Sequence, residues 1–291
     1  AIDLVIVNFY PFEETLKSTK DHKKLIENID IGGPTLVRAA AKNYKYTTIL
    51  TSPHQYKEFI SDLEKNKGST SMKFRKKLSQ EAFNLTAYYE SVISEYFSDN
   101  NKDIFPKKKT THGNLVEVLR YGENPHQQSA IYSRNDNLDI TQLSGKKLSY
   151  NNYNDIFAAL NISQTLPKNN GTVIVKHANP CGVSINKNKL LSFKEALACD
   201  PISAFGGIVS CNFKINQKIA IELNKIFLEV IIGIGFDKDS LKILREKKNL
   251  RLIDASELKP QNIYNITNNF DSLLFQSLDD KIFKKNNFKV V

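Results

Sequence analysis

The sequence predicts an α/β fold built as two successive units. Short runs of β-branched and other apolar residues alternate with stretches of helical spacing, the pattern of an open α/β layer. The 291 residues suit about two domains of ~150 residues each. Between them, Ser98 to Thr111 is polar and carries a Lys107-Lys108-Lys109 run, so it reads as an interdomain linker. The boundaries drawn are residues 1–105 for the first unit, 106–111 for the linker and 112–291 for the second.

In the first unit Ile2 to Val7 is almost wholly apolar, as in a buried parallel strand. Asn8 ends it, and Phe9-Tyr10-Pro11-Phe12 reads as a loop. Leu25, Ile26 and Ile29 recur at helical spacing within residues 19–29. Asp30-Ile31-Gly32-Gly33-Pro34-Thr35 then leads into Leu36–Asn43. Two glycines and a proline at the first position make a helix start whose exposed backbone N–H groups attract anions. An ordinary turn is the alternative. Tyr46 to Leu50 is a second strand, Ser52-Pro53 opens a helix through Lys65, and residues 71–98 form a long helix. Its aromatic stripe, from Phe74 to Tyr96, is the mark of packing. The order is β-α-α-β-α-α.

The second unit opens with a strand over Val116–Leu119 and a polar turn, Arg120-Tyr121-Gly122-Glu123-Asn124-Pro125-His126-Gln127. A strand over Gln128–Tyr132 follows. Leu143 to Tyr150 leads to Asn151-Asn152, placed ahead of a helix from Asp155 to Leu166. Gly171 to Gly182 reads G-T-V-I-V-K-H-A-N-P-C-G: a β-branched strand, a Lys176-His177 pair at its end, then a turn forced by Asn179, Pro180 and Gly182. Helices over 191–199, 216–227 and 238–248 alternate with strands over 208–211, 228–232 and 250–253. The tail after Lys259 is rich in Asn and Lys and weakly patterned.

Composition excludes several classes. Hydrophobic residues make up 41%, enough for a sizeable core and against global disorder. No apolar run reaches the ~18 residues of a membrane span, and the opening residues lack the basic start and cleavage site of a signal peptide. Cys181, Cys199 and Cys211 are odd in number and widely spaced, against a disulfide framework or zinc knuckle, so a reducing cytoplasm is the expected location. His177 and Cys181 could share a metal, but no further ligand stands at metal spacing, and none is expected. The net charge is +10. Basic chains can bind nucleic acid, yet the lysines are interspersed with acids, as on a solvated surface, and the positive field suits phosphorylated or polyglutamylated anions. The chain opens inside a strand-like run, and its single Met is Met72, as in a piece of a longer protein.

The strongest chemical signal is Lys176-His177. A rigid strand end presents two titratable groups where α/β sheets bind ligands. A nearby ammonium disfavours imidazolium, so Lys176 is expected to keep His177 neutral and able to accept a proton. Around it, Arg120 suits bidentate binding of phosphate or carboxylate. Phe205 in Asp200-Pro201-Ile202-Ser203-Ala204-Phe205-Gly206-Gly207 suits stacking on a planar ring. Glu229 is a carboxylate in an apolar strand, either an edge residue or a ligand contact. In the first unit an anion on the Gly32-Gly33 amides, with Asp30, Lys42 and Tyr10 around its reacting end, would suit proton transfer and dehydration. Taken alone, Lys42 reads first as a helix-end cation favoured by the dipole.

Five motifs fall in order in the second unit: L-R-Y-G-E-N-P-H-Q, L-S-Y-N-N, K-H-A-N-P-C-G, D-P-I-S-A-F-G-G and F-L-E-V-I-I. Together they resemble the transformylase domain of the bifunctional AICAR transformylase/IMP cyclohydrolase family. In the first unit V-N-F-Y-P-F, I-D-I-G-G and L-V-R-A-A-A-K-N resemble that family's cyclohydrolase domain. The resemblance covers about residues 1–255. It implies a partial methylglyoxal-synthase-like parallel α/β domain followed by a cytidine-deaminase-like α/β subdomain without zinc. It implies the last two steps of de novo purine biosynthesis: formyl transfer from 10-formyltetrahydrofolate to AICAR, then dehydrative ring closure of formyl-AICAR to IMP.

Carried over by position, His177 matches the base toward the substrate amine, assisted by the neighbouring carboxamide. Lys176 matches the group that stabilises charge on the formyl unit. Arg120, Tyr121, Gly206 and Glu229 match contacts to the aminoimidazole ribotide, and Asn152 a nearby polar contact. Lys42 matches the cyclohydrolase proton donor/acceptor, Asp30 and Tyr10 its active-site aspartate and tyrosine, and Val7, Asn8 and Ile31 its nucleotide contacts. The resemblance also implies a homodimer with shared transformylase sites.

The sequence departs from the family at Ile234, where a proline is usual. It has no counterpart of the N-terminal Ser-Asp-Lys and Lys-Thr phosphate loops, nor of the second transformylase subdomain that supplies much of the folate site. Two rival readings are an inactive, dimerising remnant of that enzyme and a basic nucleic-acid-binding protein.

Overall fold

A computed structural model describes residues 2–101, 103–135, 137–259 and 264–279. The stretches 260–263 and 280–291 of the Asn- and Lys-rich tail lie outside the described residues. The chain divides into two compact units between Asn114 and Leu115.

The first unit contains β1 (Leu4–Ile6), α1 (Phe12–Ser18), α2 (His22–Glu27), α3 (Gly32–Lys42), β2 (Thr48–Leu50), a 3-10 turn at Pro53–Gln55, α4 (Tyr56–Lys65) and α5 (Met72–Asn100). β1 and β2 pair in parallel with Val5 opposite Ile49. The expected buried strand over Ile2–Val7 is shorter, and Ile2, Leu4 and Ile6 are exposed. Period-two alternation explains this: Val5 and Val7 pack on Val37, Ile49, Leu50, Phe74 and Leu78, and the even positions face away.

Helix α1 replaces part of the loop expected around Pro11. Its Phe12 is buried, with ring centroids 6.4 Å from Tyr89 and 5.8 Å from Tyr96. The aromatic stripe of α5 is packing, as its spacing predicts, and Ser71 caps the helix by accepting from the Phe74 amide.

β3 (Asn114–Leu119), all but its first residue in the second unit, pairs with β4 (Ser129–Ser133). That unit continues through β5 (Thr141–Ser144), α6 (Tyr150–Thr165), β6 (Gly171–Lys176), β7 (Asn179–Ile185), α7 (Lys189–Cys199), β8 (Ile208–Cys211), α8 (Gln217–Asn224), β9 (Val230–Gly233), α9 (Lys238–Leu244) and β10 (Arg251–Asp254). A hairpin of β11 (Tyr264–Asn269) and β12 (Ser272–Ser277) lies within the tail and has no counterpart in the sequence reading.

Six strands form one mixed sheet in the order β5-β10-β9-β8-β6-β7. β8, β9 and β10 are mutually parallel, while β6 runs against β8, β7 against β6, and β5 against β10. Alternate residues serve opposite faces. Val173, Val175, Ile208, Val230, Ile232 and Ile253 pack with Ile156, Ala159 and Leu160 of α6. Ile174, Val209, Cys211, Ile231 and Leu252 pack with α7, α8 and α9. Each such fully buried aliphatic side chain contributes about 1.5–3 kcal/mol, so the two-sided burial makes this sheet a rigid support.

Two expectations for this unit are corrected. The turn after Lys176 does not run to Gly182; Asn179, Pro180 and Gly182 belong to β7, at the edge of the sheet, where a proline is tolerated. Gly182 is required there because a Cβ would collide with the Ala196 carbonyl of α7. Asn151 and Asn152 lie inside α6, whose start is set by a capping box between Ser149 and Asn152. Among the described residues no helix is long and apolar enough to cross a membrane.

Candidate functional site

The Lys176-His177 pair sits at a hairpin tip. His177 and Ala178 connect β6 to β7 with φ of 53° and 57°. Positive φ at both central positions is the type I′ hairpin geometry, normally filled by Asn-Gly. Here neither residue is glycine, and each left-handed residue costs about 1–2 kcal/mol. Asp155 of α6 offsets that cost: its carboxylate accepts from the His177 amide at 3.3 Å and the Ala178 amide at 2.7 Å. Asn179 Nδ2 donates to the His177 carbonyl at 2.8 Å.

The two side chains differ in their surroundings. Lys176 is half-buried and donates from Nζ to the Phe205 carbonyl at 2.8 Å. That uses one of its three N–H donors. His177 is exposed. The Phe205 ring is 60% exposed and lies 5.2 Å from that of Phe227, so an aromatic platform stands open beside the lysine's anchor. Gly206 has φ of 74° and donates to the Phe227 carbonyl at 2.8 Å, a conformation that explains glycine after Phe205.

A second polar group lies at the start of β9. Asn152 is buried and donates from Nδ2 to Glu229 Oε2 at 2.8 Å; Arg251 stands 3.7 Å from the same oxygen. Burial holds the Arg251 guanidinium below its ordinary value, against the opposing pull of Glu229 and Tyr121. Glu229 falls just ahead of β9, with its amide bonded to the Gly207 carbonyl at 3.0 Å. Arg120 is exposed and its guanidinium lies 5.6 Å from the Tyr121 ring centroid. The backbone connects the groups: Asn152 and Asp155 are three residues apart on one face of α6, one reaching Glu229 and the other the His177 turn.

The placement corrects one expectation. Because β6 runs against β8, its carboxyl end lies at the amino ends of the parallel strands, beside Gly207, Glu229 and Arg251, and not at the carboxyl-end crevice usual for open α/β sheets. Asp155 and Arg251 were missed by sequence reasoning. Arg251 had a visible signal, a charge opening the apolar run Arg251-Leu252-Ile253. Asp155 had none, since only tertiary pairing brings it to the hairpin.

In the first unit Asp30 is 8% exposed and fully engaged. Its Oδ1 accepts from the Gly33 amide at 2.7 Å, its Oδ2 from the Tyr10 amide at 3.2 Å, and its own amide donates to the Tyr89 hydroxyl at 2.8 Å. Of the two amides expected to attract an anion, that of Gly33 is taken by the chain's own carboxylate. Gly33 has no room for a Cβ against that carboxylate, whereas Gly32 faces open space. Lys42 is exposed at the opposite end of α3, about 15 Å along the axis at 1.5 Å per residue. Tyr10, Asn8 and Ile31 are exposed, and Val7 is half-buried. Tyr10 and Asp30 are therefore together, and Lys42 is apart from them.

Among the described residues no three His, Cys, Asp or Glu side chains are grouped to hold a metal. Cys181 Sγ lies 3.6 Å from the Ile174 carbonyl, and burial raises its thiol above the ordinary value.

Residues 40–291 match the family model described as the AICARFT/IMPCHase bienzyme. The chain belongs to that family. Among its curated relatives, a bifunctional purine biosynthesis protein PurH from Rhizobium rhizogenes is 40% identical over 100% of this chain and 55% of the relative. The PurH of Persephonella marina is 46% identical over 87% of this chain and 50% of its own length. That of Thermoanaerobacter sp. is 42% identical over 100% of this chain and 58% of its own. The chain thus spans about half the length of the curated relatives it matches.

Proposed function

We propose that this chain carries part of an AICAR transformylase/IMP cyclohydrolase, with the formyl-transfer chemistry in the second unit. The observation that carries the reading is the strained, glycine-free turn that holds His177 directly after Lys176, whose ammonium is anchored on the Phe205 carbonyl, since left-handed non-glycine residues persist where the surrounding structure over-determines them and cluster at active sites. His177 accepts the proton as the AICAR amine forms its bond to the formyl carbon of 10-formyltetrahydrofolate. The two remaining Lys176 donors stabilise the oxyanion that develops on that carbon. When the bond to the folate nitrogen breaks, a proton returns to that nitrogen and the products are formyl-AICAR and tetrahydrofolate. Phe205 stacks on the planar ring, while Glu229, backed by Asn152 and Arg251, and Arg120 with Tyr121 bind the ribotide.

The first unit belongs to the cyclohydrolase side, with Lys42, at the far end of α3 from Tyr10 and Asp30, moving the proton on ring closure to IMP, and with Tyr10, Asp30, Asn8 and Ile31 contacting the nucleotide. This reading rests on the motif match. The finer fold assignments, methylglyoxal-synthase-like then cytidine-deaminase-like, belong to the same proposal, as do a homodimer and a cytoplasmic location. The test is calorimetric titration with AICAR beside light scattering. Binding that is weakened by Arg120→Ala supports the reading. Dimerisation without binding favours the inactive remnant, and steeply salt-dependent binding of nucleic acid favours the basic-protein rival.

A further inference from the structure

We propose that Asp155 is a positioning residue for His177, acting as a two-pronged clamp that selects the left-handed turn from which the imidazole works. The inference rests on the formyl-transfer reading and adds to it a residue that touches no substrate. Three observations converge. The two residues at the tip both have positive φ, 53° and 57°, without a glycine. Asp155 uses separate oxygens for the two amides, Oδ2 for His177 and Oδ1 for Ala178. Its helix is held by apolar burial of Ile156, Ala159 and Leu160 on the sheet and by the Ser149–Asn152 capping box one turn earlier, so the carboxylate is delivered by a rigid element.

A carboxylate is the side chain suited to this task, because both of its oxygens accept. An asparagine offers one acceptor oxygen and turns an amino group toward the second amide. The turn then loses one prong, and the alternative hairpin conformers with negative φ, which aim position 177 elsewhere, become populated. Misplacement of a reacting group by about 1 Å costs on the order of a hundredfold in rate.

The experiment compares Asp155→Asn, Ala178→Gly, the double variant and His177→Ala in the intact protein. Formyl transfer is followed by absorbance, and Ala178 amide exchange by mass spectrometry. Asp155→Asn is expected to lower kcat about ten- to a hundredfold with KM for AICAR changed by less than about threefold, and to speed exchange at Ala178. The double variant is expected to recover most of kcat, because glycine at the second tip position favours the same turn without the clamp. Asp155→Asn activity within about twofold of the parent, with His177→Ala inactive, overturns the clamp. So does a double variant as slow as the single one. If His177→Ala keeps full activity, the formyl-transfer reading has failed, and the exchange rate at Ala178 alone then decides whether the clamp exists. Should Asp155→Asn not fold, the double variant answers in its place: a folded, active double variant supports the clamp, and an inactive one refutes it.

Discussion

Asn152 offers the most quantitative test of how the site is built. Its side chain is 4% exposed and makes two bonds that Asn152→Ala removes. Oδ1 accepts from the Ser149 amide at 3.2 Å, one half of the capping box, and Nδ2 donates to Glu229 at 2.8 Å. Loss of a cap interaction costs about 1 kcal/mol. A hydrogen bond to a charged group contributes about 1.5–3 kcal/mol when dry. The Glu229 side chain is 45% exposed, so water replaces part of that and about 1 kcal/mol is the fair figure. The sum is about 2 kcal/mol, which at a urea dependence near 2 kcal/mol/M lowers the unfolding midpoint by about 1 M. Urea titration followed by far-ultraviolet circular dichroism measures it. A midpoint shift below about 0.2 M would refute the argument that Asn152 links the α6 start to Glu229.

Three further outcomes follow from other parts of the molecule. Lys42→Ala should abolish cyclisation of supplied formyl-AICAR and spare formyl transfer; unchanged cyclisation removes Lys42 from the site. Asp237 caps α9, and the Ser240 amide above all holds its carboxyl below the ordinary carboxylate range. A depressed folded value means stabilisation that is present above the unfolded value and lost as pH falls through the folded one. Asp237→Asn should therefore flatten the acid limb of the stability profile below about pH 4, and an unaltered limb would contradict the cap. Finally, Cys199 is exposed, while Cys211 is buried with its thiol pushed up to about 12. Iodoacetamide at neutral pH should label Cys199 first and Cys211 only on unfolding; early labelling of Cys211 would show that the second unit's sheet is open.

Much of the second unit was legible because its strands are short β-branched or aliphatic runs buried on both faces. Such runs announce themselves whatever lies next to them, as with Val173–Val175 and Val230–Ile232. Strand direction was not legible. A strand that ends in Lys-His and a turn looks the same whether the chain returns as a hairpin or crosses over, and the antiparallel β6 moved the expected site to the other end of the parallel strands. β7 was missed because Pro180 and Gly182, ordinarily breakers, are accommodated at a sheet edge against α7. In the first unit a helix start near Gly32-Gly33 was legible, but α3 begins at Gly32 itself, so Pro34 is its third residue and not its first, and Asp30, three residues upstream of Gly33, folds back on the Gly33 amide. Asp155 stayed hidden because its meaning lies in a contact 22 and 23 residues away in sequence.

The central claim is that an imidazole on a clamped hairpin tip takes the amine proton during formyl transfer. The most direct test is His177→Ala in the intact protein, assayed separately for formyl transfer to AICAR and for cyclisation of supplied formyl-AICAR. Loss of the first with retention of the second is the predicted result; equal loss of both in a folded variant, or loss of neither, contradicts it.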